Sequence, residues 1–262
     1  MVMAAIAPQA QPAPVALFVS DLHLHPSNPK TEQAFRDFLR QPARQAQHLF
    51  LLGDMFESWA GDDDLATPWN RSIADAIRAV SDAGVQIGLI SGNRDFLIGK
   101  KFAQTAGFSL LPDPHVVTLS DQRIVLTHGD ALCTDDVGYM AFRAKVRNPL
   151  AQKLFLAMPL SKRKAIIEGM RSDSVTAQKA KTNAIMDVNK GAVDALFEQT
   201  NASIMVHGHT HRPARHDSAD GKRVRYVLTD WDCECKPERG GWMALYANGT
   251  FRRFDIKGRM VT

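Results

Sequence analysis

Seven side chains able to hold a metal ion recur in five short blocks of this 262-residue chain: Asp21 and His23 in "DLH", Asp54 in "GD", Asn93 in "GNRD", His128 in "HGD", and His209 and His211 in "HGHTH". Carboxylate and amide oxygens mixed with imidazole nitrogens suit borderline-hard divalent ions such as Mn2+, Fe2+ or Zn2+. Seven donors are too many for one tetrahedral ion. They fit two ions sharing a bridging carboxylate, an arrangement that clamps the attacking and leaving oxygens of a phosphoryl transfer. Each block alone reads as a turn, and His128 alone as an ordinary core histidine. The order of the blocks and their common setting carry the metal reading.

That setting is a strand end. The blocks follow the apolar runs 15–20, 48–52, 86–91, 123–127 and 203–206, which read as buried strands. Helical spacing fills 31–46 and 70–83, with Ile73, Ile77 and Val80 on one face. The alternation predicts an α/β fold whose first strands are parallel. Open α/β sheets bind ligands beyond the carboxyl ends of their strands. Gly53, Gly92, Gly129 and Gly208 flank the blocks and permit sharp turns. The runs 224–229 and 242–247 follow without long helices, which suggests an antiparallel portion and a second sheet.

From 136 to 199 no strand is expected. Two short helices should meet at Met158–Pro159, because proline is tolerated only in a helix's first turn, and a longer helix should run to about Gln199. The layout expected is a disordered extension over 1–14, a core over 15–135 and 200–262, and a helical cap inserted at 136–199.

Composition narrows the class. Charged residues are 23% and the net charge is +4, mild for a nucleic-acid binder; aromatics, at 8%, offer little stacking surface. No nucleic-acid partner is expected, and no protein partner is evident. Cys133, Cys233 and Cys235 are an odd number, which excludes a complete disulfide framework and suits a reducing compartment. Cys233 and Cys235 have no second pair nearby to complete a structural zinc site. The N-terminus lacks a basic stretch and is broken by Pro8, Pro12 and Pro14, so it reads as a lead-in and not a signal peptide. No apolar run approaches the ~18 residues of a membrane span. A cytoplasmic protein is expected, one still able to touch a membrane.

With these blocks in this order, the chain resembles the calcineurin-like metallophosphoesterases. The resemblance implies an αββα sandwich of two mixed β-sheets. It also implies that Asp21, His23, Asp54 and His211 hold one ion and Asp54, Asn93, His128 and His209 the other, with Asp54 bridging. The nucleophile would be a hydroxide between the ions, most often Mn2+. The segments "LGDMFESWAGDDD", "GNRDFLIGKKF", "THGDALCTDD", "YMAFRAKVRNP" and "NAIMDVN" are similar to a branch that hydrolyses a lipid-linked UDP-sugar at the cytoplasmic face of the inner membrane. By that resemblance Asn93, Arg94, Asp136, Ser174, Gln178, Lys181 and His209 contact substrate, although Gln178 stands where the branch leads one to expect Asn. Beyond residue 213 the resemblance thins.

Several residues can be read without it. Arg94 cannot act as a general acid, because guanidinium stays charged; it can neutralise a phosphate leaving group, as a diphosphate requires. Arg94 could instead simply pair with a carboxylate. Catalytic roles therefore fall on Asp54, Asn93 and Arg94. Tyr139 and Arg143 lie one turn apart if helical and could face the site. Leu150, Leu154, Phe155, Leu156, Met158, Leu160, Ile166, Ile167 and Met170 could line a cleft for acyl chains. Lys153, Lys162, Arg163 and Lys164 among them suggest a basic surface for anionic lipid, or else a solvated face. His207 continues its strand and is expected to pack beside the site. Glu57 and Asp62–Asp64 could cap a helix or support a ligand. Two other functions fit the same blocks: a nucleotide diphosphatase or nuclease, and a scaffold that has lost its metals.

Overall fold

The computed structural model describes residues 12–179 and 187–261, with the side chains of 172–179 outside that description. The expected extension over 1–14 therefore lies almost wholly outside the described residues, as does Lys181.

In chain order the elements are β1 (Ala16–Val19), α1 (Pro29–Arg40), β2 (His48–Leu52), α2 (Pro68–Ser81), β3 (Gln86–Ile90), α3 (Lys100–Ala106), β4 (Ser109–Leu110), β5 (His115–Leu119) and β6 (Gln122–Leu126). Then come α4 (Val137–Val146), α5 (Pro149–Leu156), α6 (Leu160–Lys179), α7 (Lys190–Thr200), β7 (Ile204–His207), β8 (Ala214–Asp217), β9 (Val224–Val227), β10 (Gly241–Leu245), β11 (Phe251–Asp255) and β12 (Met260–Val261).

Two mixed sheets result. One has the order β12-β11-β10-β1-β2-β3-β4 and the other β5-β6-β7-β9-β8. β1, β2, β3 and β4 are parallel, as are β6, β7 and β9. β10 joins antiparallel beside β1, and β5 and β8 edge the second sheet antiparallel.

The apolar runs are unbroken because both faces of their strands are covered. In β1, Ala16 and Phe18 point between the sheets, meeting Ile124, Leu126, Ile204 and Val206. Leu17 and Val19 point outward to Phe35 and Phe38 of α1 and Ile73 and Ile77 of α2. On the outer face of the second sheet, Val193, Leu196 and Phe197 of α7 pack on Val125 and Met205. The layers are thus helix, sheet, sheet, helix.

The expected junction at Met158–Pro159 falls between α5 and α6, but α6 is long, at 20 residues, and α4 precedes both. None of the side chains of α4 or α5 is buried. Phe155 of α5 packs partly against the core, and polar latches around α4 and α6 supply further hold. Arg147 Nη2 donates to the carbonyls of Ser91 (3.1 Å) and Gly92 (2.9 Å). Lys164 meets Asp64 at 2.6 Å. Arg163, expected on a basic outer face, is only 1% exposed. Its guanidinium donates to the Ala60 carbonyl and the Asp63 carboxylate, so it cannot touch lipid. Its position on the core-facing side of α6 explains the difference; exposed Lys162 and Lys164 flank it. Among the described residues, no helix is long and apolar enough to cross a membrane.

Candidate metal centre

Five parallel strands end at one edge of the sandwich: β1, β2 and β3 from the first sheet, β6 and β7 from the second. Their chain continuations bring six of the seven expected donors into a web of contacts at that edge, with the backbone of His209 tied in as well. Asp54 lies between two histidines, with Oδ2 3.9 Å from His23 Nε2 and Oδ1 3.6 Å from His128 Nε2. Asn93 Oδ1 is 3.0 Å from His128 Nε2. His211 Nε2 is 3.4 Å from Asp21 Oδ1 and 3.3 Å from His23 Nε2. The His209 ring centroid is 5.1 Å from that of His128. Among the described residues, two groups have ligand atoms close enough to share an ion: Asp21, His23 and His211, and Asp21, Asp54 and His128. Asp21 is common to both.

The backbone is strained where the donors sit. Asp21, His23, Asp54, His209 and His211 all have φ between 45° and 68°, the left-handed region that L-residues avoid. Glycine beside them is a requirement of space. A Cβ on Gly92 would overlap the Asp54 carboxylate, and one on Gly208 the Asp21 carboxylate.

Three histidines turn Nε2 inward, and each has an acceptor behind Nδ1. His128 Nδ1 donates to the Leu52 carbonyl at 2.9 Å. His23 Nδ1 meets Glu57 Oε2 at 2.8 Å. His211 Nδ1 lies 3.8 Å from Asp230 Oδ2. The His128 hydrogen bond fixes that ring's tautomer and orientation, the Glu57 carboxylate lies against His23 as an ion-pair partner, and Asp230 stands beyond hydrogen-bond reach of His211. Asp230 follows parallel strand β9, so it is another strand-end acid. The signal was present in "VLTD", but no neighbouring histidine drew attention to it.

The donor set fits divalent cations. Asp21 Oδ1 is buried yet accepts no hydrogen bond, a costly vacancy for a carboxylate unless a cation faces it. The protonation balance says the same. Burial pushes His23 and His128 down, but the neighbouring carboxylates outweigh it and raise both to about 9: Glu57, Asp54 and Asp21 for His23, and Asp54, Asp21 and Asp130 for His128. The carboxylates thus favour positive charge at these two rings, which protons supply in the metal-free chain. His209 is pushed down to about 4 by burial and by His128.

His207 is separate. Its ring is buried, Nδ1 donates to the Gly208 carbonyl at 2.9 Å, and Nε2 accepts from Arg225 at 3.0 Å. Burial, then Arg225, depress it to about 3, so it is a neutral packing residue.

The expected substrate contacts divide. The Arg94 backbone N–H donates to Asp54 Oδ1 at 2.8 Å, and its Nη1 lies 3.9 Å from Glu57 Oε1. Tyr139 lies over the site, its ring 6.0 Å from His209, and its hydroxyl donates to Asp130 Oδ2 at 2.6 Å. Arg143 Nε donates to the same oxygen at 2.8 Å. Tyr139 and Arg143 therefore share Asp130, a buried acid that the sequence reading passed over. Asp136 caps α4, accepting from the Tyr139 N–H at 3.0 Å. Ser174 and Gln178 fall on α6, their side chains outside the description.

A family model described as calcineurin-like phosphoesterase matches residues 15–213. The chain is 49% identical over 220 residues to the UDP-2,3-diacylglucosamine hydrolase of an Escherichia coli strain, covering 83% of this chain and 91% of the relative. It is 47% identical over 242 residues to the protein of that name from Bordetella parapertussis, covering 90% and 93%. Among solved structures, a dimetal phosphatase from Danio rerio superposes with a TM-score of 0.51 at 14% identity, over 92% of this chain and 96% of that one. At that identity the likeness concerns the fold.

Proposed function

The chain belongs to the calcineurin-like phosphoesterase family, and from that premise we propose that it hydrolyses the diphosphate of UDP-2,3-diacylglucosamine in lipid A biosynthesis. Water attacks the α-phosphorus, and the products are UMP and 2,3-diacylglucosamine 1-phosphate. The observation that carries this reading is the meeting of a divalent-cation donor set with a cap whose apolar side chains are left exposed.

Asp21, His23, Asp54 and His211 would hold one ion, and Asp54, Asn93, His128 and His209 the other, with Mn2+ the proposed metal. When bound, the ions supply Lewis acidity and a more acidic water. The remaining work falls to the chain. The carboxylate of Asp54 faces both histidine groups and is aimed by the Arg94 N–H. The Arg94 guanidinium stands beside the site and neutralises the sugar phosphate as it leaves. Tyr139 and Arg143, fixed on Asp130, bound the site on the α4 side. Asp136, Ser174, Gln178 and Lys181 are proposed sugar and phosphate contacts.

The exposed apolar residues of the cap, among them Leu150 (66%) and Leu154 (65%), offer a surface for acyl chains and for the membrane that presents them. Peripheral association with the cytoplasmic face of the inner membrane follows from that reading, with Lys153 and Lys162 toward anionic headgroups. The test is direct. Purified protein with UDP-2,3-diacylglucosamine and Mn2+ should release UMP, and a chelator should abolish release. Failure to release UMP under metal-replete conditions would reject the substrate.

A further inference from the structure

Glu57 stands between a metal-site histidine and the cap; the sequence left its role open between helix cap and ligand support, and the family comparison gives it none. It reaches this place because its backbone N–H donates to the Leu24 carbonyl at 3.1 Å, one residue past His23. Leu24 and Phe56 form an isolated bridge there, so the continuations of β1 and β2 travel together beyond the sheet. Glu57 Oε2 meets His23 Nδ1 at 2.8 Å. Its Oε1 accepts from Arg171 Nη2 of α6 at 2.8 Å. Oε2 thus faces the site, while Oε1 takes its short contact from a residue 114 positions away in the cap, with Arg94 Nη1 farther off at 3.9 Å.

The geometry points to Glu57 as the positioning residue through which the cap sets the metal affinity of His23. The inference rests on the two-ion reading above. A carboxylate behind a ligating imidazole holds the ring in plane and makes its other nitrogen a better donor. Glu57 can do so only while its own side chain is held. Arg171 supplies the shorter hold, a charge-assisted hydrogen bond from a guanidinium that also engages Glu168 at 3.2 Å, where Arg94 stands off at 3.9 Å. When α6 moves, Glu57 loses its second anchor and His23 its fixed orientation.

The two donor groups differ in this respect. His128 is backed by the Leu52 carbonyl, a backbone group inside the sheet that no side-chain motion disturbs. His23 is backed by a side chain tied to the cap. Cap movement should therefore weaken one ion and spare the other.

Calorimetric titration of the full chain with Mn2+ tests this, alongside electron paramagnetic resonance of the loaded protein. The wild type should bind two equivalents and show a spin-coupled pair. Glu57→Ala should weaken one equivalent roughly 10–100-fold, leave the other in place, and lose the coupled signal at stoichiometric metal. Glu57→Gln, which keeps an acceptor for Nδ1, should recover part of the loss and carries the test if Glu57→Ala does not fold. Arg171→Ala should weaken the same equivalent by less, and should add nothing in a Glu57→Ala background. Two equivalents at wild-type affinity in Glu57→Ala, equal weakening of both, or additive Arg171 and Glu57 effects would each overturn the proposal. A wild-type chain that binds no Mn2+ would instead reject the two-ion reading, and this inference with it.

Discussion

The backbone N–H of His209 donates to Asp21 Oδ2 at 2.9 Å. Asp21 follows a strand of the first sheet and His209 a strand of the second, so this hydrogen bond ties the two donor-bearing edges together. Both residues lie at positive φ, at a cost of about 1–3 kcal/mol each, which persists only where surrounding contacts enforce it. Here they do. The Trp231 N–H donates to the Asp21 carbonyl at 2.9 Å, and Asp21's own N–H to Gly53 at 3.0 Å. The site is preorganised by protein contacts.

That arrangement divides the histidines of "HGHTH". His207→Gln should lower the melting temperature, because it removes the buried partner of Arg225, while metal content stays at two equivalents. His209→Gln and His211→Gln should each deplete one equivalent with little change in folding. Elemental analysis of the three variants, purified without chelator, reads this out. Equal depletion in all three would show that His207 is a ligand.

The protonation states give two separate pH windows. His23 and His128 are raised from 6.5 to about 9 in the metal-free chain, so their stabilisation is full below 6.5 and is lost as pH rises through 9. His207 and His209 are depressed to about 3 and about 4, so theirs is full above 6.5 and is lost as pH falls toward those values. Of these four, the first pair titrates between pH 6.5 and 9. Across that range the melting temperature of metal-free protein should fall, while the increment produced by Mn2+ grows, since metal must displace the protons. Calorimetry in buffers of different ionisation enthalpy at pH 7.5 should show proton release on Mn2+ binding. No release would contradict protonated His23 and His128.

Much of this was legible in the sequence for a physical reason. Strands covered on both faces appear as unbroken apolar runs, and five of them lead into a donor block, as "HLFLL" does before Asp54. β4, β5, β8, β11 and β12 were not anticipated: β4 and β12 span two residues each, β5 is only partly covered, and "ARHD" and "FRRFD" carry charges in place of an apolar run. Asp130 and Asp230 were hidden differently, and for Glu57 the sequence left a helix cap and a ligand support as equal readings. Each acts by backing or holding another side chain, and only distances across the fold reveal that. Arg163 misled because a basic residue among other basic residues looks solvated; its burial depends on the Ala60 carbonyl, 103 residues away.

The cap's exposed leucines give a membrane prediction. Leu150→Ser with Leu154→Ser should cut sedimentation with phosphatidylglycerol-containing vesicles, by on the order of tenfold per leucine that enters the lipid. Lys153→Ser with Lys162→Ser should remove a salt-sensitive part. Arg163 is left in place because it holds the cap. Partitioning equal to wild type in the leucine variant would contradict membrane docking through this face.

The most direct measurement follows oxygen. The protein is supplied with UDP-2,3-diacylglucosamine and Mn2+ in 18O-labelled water, and both products are weighed by mass spectrometry. Attack at the α-phosphorus puts the label in UMP and leaves the 2,3-diacylglucosamine 1-phosphate unlabelled. Label in the lipid phosphate would contradict the direction of attack and the role given to Arg94 at the leaving group.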